Sequence, residues 1–310
     1  MKIITELEMQ DILKIFNKKT VLENIKLQDK RGVNLLMYAI LYNKSLSLGL
    51  DNQKFDFLIK NSDLKQIINF GWTVLMMAAE NNLKEDINLT EDQWDYLIKN
   101  SDLSQKIKDN TFLNFSEDGS ILKKLKGSKA VNALMYISSY NKKSSINLNE
   151  QMWSYLIKNS NLKQMDRYNN NALSYILDNG KIENIRFSDE LWEYLIDNSL
   201  LSNGPLVLPL QIIMMQTAVG DLYLTEKIWE KLINQTKILN IQIAGEIMSS
   251  IDTKNHGVII SKILAKIEEN YDVNKVFEVV KQIFNRGMDF IPNKISKEFI
   301  SSYLDKKRNQ

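Results

Sequence analysis

The chain has a single histidine, His256, and no cysteine among its 310 residues. Thiol nucleophiles, thiolate-bound metals and disulfides are therefore outside its chemistry. A histidine-based triad needs a nucleophile and an orienting acid around the ring, and Thr253, Lys254, Asn255 and Gly257 beside His256 form no such pattern. One histidine is also too few for a structural zinc site. Neither glycine-rich phosphate cradle, Gly-x-x-x-x-Gly-Lys or Gly-x-Gly-x-x-Gly, occurs. Acid–base work by paired carboxylates is what remains. Glu91/Asp92 and Glu268/Glu269 read best as solvated helix faces, although acids from distant segments could still converge. The expectation is a non-enzyme with no cofactor and no metal.

Composition narrows the partners. Forty Lys and Arg against 38 Asp and Glu leave a formal charge of +2, too little to drive binding to nucleic acid or an anionic membrane surface. Acidic Glu6 and Glu8 interrupt any signal-peptide core, and no apolar run is long enough to span a bilayer. A cytoplasmic protein, or one secreted into a host cell without a cleavable signal peptide, is expected.

The elements that must position any site are repeats. Phe55, Trp94, Trp153, Trp192 and Trp229 each lead a Leu-Ile segment, spaced by 39, 59, 39 and 37 residues. A second motif opens at Asn34, Thr73, Asn132 and Asn171 with offsets of 39, 59 and 39. Two motifs in one phase define a unit of about 39 residues, with an insertion at about 106–129. Each unit reads as two helices. Asp51, Thr90, Asn149, Ser188 and Thr225 stand four residues before the aromatic leads, as N-caps do. The aromatic lead with Leu and Ile three and four residues on, as in Trp94, Leu97 and Ile98, makes one apolar stripe, so the tryptophans read as core rather than ligand-stacking residues. Asn61, Asn100, Asn159 and Asn198 follow, where a left-handed residue would end the helix. A hairpin this small cannot cover its own apolar face, and stacking on neighbours can.

These residues resemble the ankyrin repeat. Asp29, Gly32 and Asn34-Leu35-Leu36-Met37-Tyr38-Ala39 are similar to that family's Asp-x-x-Gly-x-Thr-Pro-Leu-His-x-Ala opening. Gly71, Thr73 and Ala78 are similar again, and Asp166, Asn169 and Asn171 more weakly. The ten residues from Asn61 to Gly71, and from Asn159 to Asn169, match the family's inter-repeat loop. The chain departs in its 39-residue unit, where the family has about 33, in lacking the Pro and His, and in placing Asn where Thr is usual.

The resemblance implies an all-α, ankyrin-like helical-hairpin solenoid with a helical C-terminal cap. Residues 1–29 form an N-terminal capping helix and loop, 30–240 five repeats, and 241–310 a cap or small domain. It further implies a protein partner, held on the concave side by fingertip turns and by the exposed ends of the first helices. By position these are Lys30, Arg31, Phe70, Trp72, Arg167 and Tyr168 in the turns, and Tyr42, Glu80, Asn81 and Tyr140 on the helices. Aromatic and Arg side chains supply contact area at such surfaces. Phe70 and Trp72 have a second reading, packing on the neighbouring finger, and the insertion is either a second binding element or a locally docked loop. The Lys-, Asn- and Ile-rich composition points to an AT-rich genome, and a host-directed effector of an intracellular bacterium is the setting implied. An inhibitor or antitoxin-like protein acting on a bacterial target, or an enzyme with its activity in residues 241–310, are the rivals.

Overall fold

The computed structural model describes residues 3–68, 71–105, 114–115, 121–122, 131–141, 144–166, 170–180, 186–199, 224–235, 240–242, 244–245 and 257–285. Across them the chain is all-α apart from one short hairpin. The helices are α1 Glu6–Ile15, α2 Lys18–Asn24, α3 Leu35–Tyr42, α4 Asn52–Asn61, α5 Val74–Asn81 and α6 Glu91–Asn100. They continue with α7 Ala133–Tyr140, α8 Glu150–Asn159, α9 Ala172–Gly180, α10 Asp189–Asn198, α11 Glu226–Gln235, α12 Gly257–Glu268 and α13 Val273–Asn285. Residues 1–29, read as one helix and a loop, hold the pair α1 and α2. Within the insertion, β1 Asn114–Phe115 pairs antiparallel with β2 Ile121–Leu122.

The helix starts follow from the caps. Asp51, Thr90 and Asn149 each accept a backbone N–H three residues on, at 2.9, 3.4 and 2.9 Å. Ser188 occupies the same place without a side-chain cap bond. Asn34, Asn132 and Asn171, in the register of Thr73, cap α3, α7 and α9. The Asn amide adds a second bond that Thr lacks, from Asn34 to the Gln66 side-chain Oε1 at 2.8 Å and from Asn132 to the Asn161 backbone carbonyl at 3.1 Å.

The helix ends correct an expectation. Asn61, Asn100, Asn159 and Asn198 are the last helical residues rather than left-handed stops, and extended Ser62, Ser101, Ser160 and Ser199 follow them. Each Asn instead donates its side-chain amide to the carbonyl four residues back, at 2.7–2.8 Å.

Two compact units form, Met1–Arg167 with Ile182–Asn184, and Tyr168–Lys181 with Ile185–Gln310. In the first, α1, α3, α5 and α7 pack in sequence order as one row, and α4, α6 and α8 as another. In the second, α10 packs on α11, α11 on α12 and α12 on α13. The aromatic leads lie in these cores, none more than 2% exposed. Each fully buried Leu or Ile beside them stabilises by about 1.5–3 kcal/mol.

The residues between the two helices of a repeat form a loop with a fixed design. Asn43, Asn82 and Asn141 stand at one register position, all buried, just after α3, α5 and α7. Each accepts the N–H seven residues on, from Leu50, Leu89 and Leu148. Asn43 also donates to the Glu85 carbonyl of the following unit at 3.3 Å, and Asn82 to that of Ser144 at 2.8 Å. Left-handed residues recur with them, at Ser47, Asp86 and Ser145 and at Gly49, Asn88 and Asn147. Buried Glu85 adds a carboxylate that accepts from the Lys44 and Ser45 backbone at 3.1 and 3.0 Å.

Candidate protein-binding face

The turns anticipated as fingertips share one geometry. Gly32 donates to the Asp29 carbonyl at 3.1 Å and Asp29 to that of Val33 at 2.9 Å. Gly71 and Ile68 make the same bonds, to Ile68 and Trp72, at 3.1 and 3.0 Å. Both glycines are left-handed, at φ 87° and 88°, a conformation glycine adopts without a Cβ clash. A Cβ on Gly32 would stand 3.6 Å from the Ile67 carbonyl and the Ile68 Cα, so the first turn packs on the second. The Gln66 amide bridges them by donating to the Gly32 carbonyl.

The anticipated residues divide three ways. Lys30 is exposed at the first turn, and Tyr42, Glu80 and Tyr140 are half-buried at the ends of α3, α5 and α7. Trp72 and Asn81 are not on the surface, at 1% and 5% exposed. The Trp72 ring meets Tyr136 edge-on at 5.1 Å, and the Asn81 amide donates to the Met77 carbonyl at 2.9 Å. Trp72 occupies the register of Val33, itself 1% exposed, so this place in the unit faces the core. Phe70, Arg167, Tyr168 and His256 lie outside the described residues.

Two polar–aromatic clusters mark the face. In the first, Arg31 pairs with Glu6 at 2.9 Å and Asp29 at 2.7 Å, its side chain 18% exposed. Burial pulls its guanidinium pKa down, but Asp29 and Glu6 outweigh burial and raise it. Tyr38 and Tyr42 lie ring to ring at 4.8 Å. Burial pushes the Tyr38 hydroxyl up to about 12 and raises that of Tyr42 against the pull of Arg31.

In the second cluster the Tyr136 hydroxyl donates to Glu80 Oε2 at 2.5 Å, and the Tyr136 and Tyr140 rings stack at 4.8 Å. Burial raises the Glu80 carboxyl above its ordinary range, opposed by the Tyr136 bond and the charge of Lys84. Burial likewise raises both tyrosines. Among the sequence signals, the recurrence of Tyr38 and Tyr42 at Tyr136 and Tyr140 is what could have revealed both clusters, and Tyr38, Tyr136 and Glu6 were missed.

Among the described residues no group of three or more His, Asp or Glu could hold a metal ion, and no helix is long and apolar enough to cross a membrane. No protein-family model and no curated protein matches the chain.

Proposed function

We propose that the chain is a non-enzymatic protein–protein interaction module. In this reading it is an ankyrin-like solenoid of helical hairpins with a helical C-terminal cap, gripping a partner polypeptide across its turns and first-helix ends. The observation that carries the reading is the order of the first unit: α1, α3, α5 and α7 in one row, α4, α6 and α8 in the other, with one turn geometry repeated at 29–33 and 68–72. Such a row presents a continuous surface whose side chains vary while its backbone repeats. The half-buried tyrosines and Arg31 supply rigid contact area, and the protein works in the cytoplasm or inside a host cell. An intracellular bacterium's host-directed effector fits this reading.

Affinity capture with the full chain, read by quantitative mass spectrometry, tests it. Lys30→Glu with Tyr140→Ala removes the partner, whereas Lys60→Glu with Lys99→Glu, on α4 and α6, retains it. An unchanged set of captured proteins in the first variant overturns the proposal. A partner that co-purifies from the native bacterium moves the assignment to an inhibitor.

A further inference from the structure

We infer that Glu80, Tyr136 and Tyr140 form a receptor for an arginine side chain projected by the partner, an inference that rests on reading this face as the partner-binding one. The first cluster is the internal template. There two carboxylates, Glu6 of the preceding first-row helix α1 and Asp29 of the turn, pair with the Arg31 guanidinium, and its charge acts on a tyrosine pair one turn apart on α3.

The second cluster repeats two of those four parts, a carboxylate and the tyrosine pair, while Gly127 stands at the register of Asp29. Glu80 comes from the preceding first-row helix, α5, and Tyr136 and Tyr140 occupy on α7 the register of Tyr38 and Tyr42 on α3. The rings are closer to parallel here, at 24° against 49°, and Trp72 braces Tyr136 from the core side. Tyr136 engages Oε2, and among the described residues Oε1 accepts no hydrogen bond. Both Glu80 and Tyr140 are half-buried, so solvent reaches them. Lys84, one turn on, acts on the carboxylate through space. A carboxylate beside stacked aromatic faces suits a planar cation, which takes a charge-assisted bond from one and a cation–π contact from the other. Among the described residues no guanidinium of the chain occupies this second cluster. The residue at Arg31's register position, Lys129, lies outside the described residues and is controlled for in the test.

The probe is N-acetyl-L-arginine amide, titrated into the full chain with ¹³C-labelled tyrosine rings and followed by NMR. The Tyr136 and Tyr140 signals should move, while those of Tyr38 and Tyr42 stay fixed and report an intact fold. The uncharged citrulline analogue should bind at least about tenfold more weakly. Glu80→Gln should abolish that discrimination, and Lys129→Ala should leave arginine affinity unchanged. Equal binding of arginine and citrulline, unchanged affinity in Glu80→Gln, or arginine binding seen only in Lys129→Ala each overturns the inference. Tighter binding of the lysine analogue overturns the guanidinium assignment. Capture lost in the Lys30/Tyr140 variant with no probe binding sinks this inference alone. Capture indifferent to that variant sinks the functional reading even if the probe binds.

Discussion

Among the described residues, the polar ties between neighbouring helices differ in emphasis between the two units. In the first, buried amides tie unit to unit: Asn43 to Glu85, Asn82 to Ser144, Asn34 to Gln66. In the second, exposed charges cross from helix to helix: Lys227 to Glu193 at 2.7 Å, Lys231 to Asp197 at 2.6 Å, and Lys262 to Glu226 and Glu230. A buried amide with both ends satisfied fixes register, because any slip leaves donors and acceptors stranded away from water. An exposed ion pair is screened and costs side-chain entropy, so it biases orientation while specifying little. The unit that carries the candidate face thus has its register set by buried amides, with ion pairs such as Arg31–Glu6 and Lys44–Asp86 added to them.

Three substitutions bear on this contrast. Asn82→Ala should have the largest effect, since it strands the Leu89 N–H and the Ser144 carbonyl together. A loss of about 2–4 kcal/mol is expected, read by hydrogen exchange as lost protection across residues 82–92 and 144–149.

Glu80→Gln comes next, through pH. The native carboxyl pKa is raised by burial, against the opposing pull of the Tyr136 bond and the Lys84 charge. Stability from this group is therefore complete below the unfolded value of about 4.3 and is lost as pH rises through the native one. Denaturation midpoints should show the Gln variant gaining on the parent as pH increases from that value. Parallel curves would place the carboxylate in solvent.

Asp197→Asn should be smallest, under about 1 kcal/mol, as is usual for an exposed pair. The Asp197 pKa is lowered by its bond from Lys231, so its contribution stands at neutral pH and fades as pH falls through that low value. High salt should erase it, while leaving the Asn82→Ala deficit in place. If salt erased both, the contrast between the units would fail.

What could be foreseen was what depends on local chemistry and period. The aromatic leads, their Leu-Ile stripe and the capping positions are each fixed by contacts within a turn or two, and the described residues keep all but the Ser188 cap bond. Positions set by tertiary packing were harder. Trp72 looks like a fingertip aromatic, yet its equivalent Val33 already carried the signal that this place is apolar. Asn43, Asn82 and Asn141 recur in phase as clearly as the tryptophans. An asparagine after a helix reads as a turn residue, which hides its reach into the next unit. Glu85 gave no signal, because its equivalents are Leu46 and Ser144.

The asparagine loops have an evolutionary consequence. Asn43 and Asn82 each bear a socket for their own chain seven residues on and a plug for the same spot in the next repeat, so these two junctions are chemically alike. Duplicating or excising one whole segment would rejoin plug to socket unchanged, and lineages could lengthen or shorten the row without inventing new contacts.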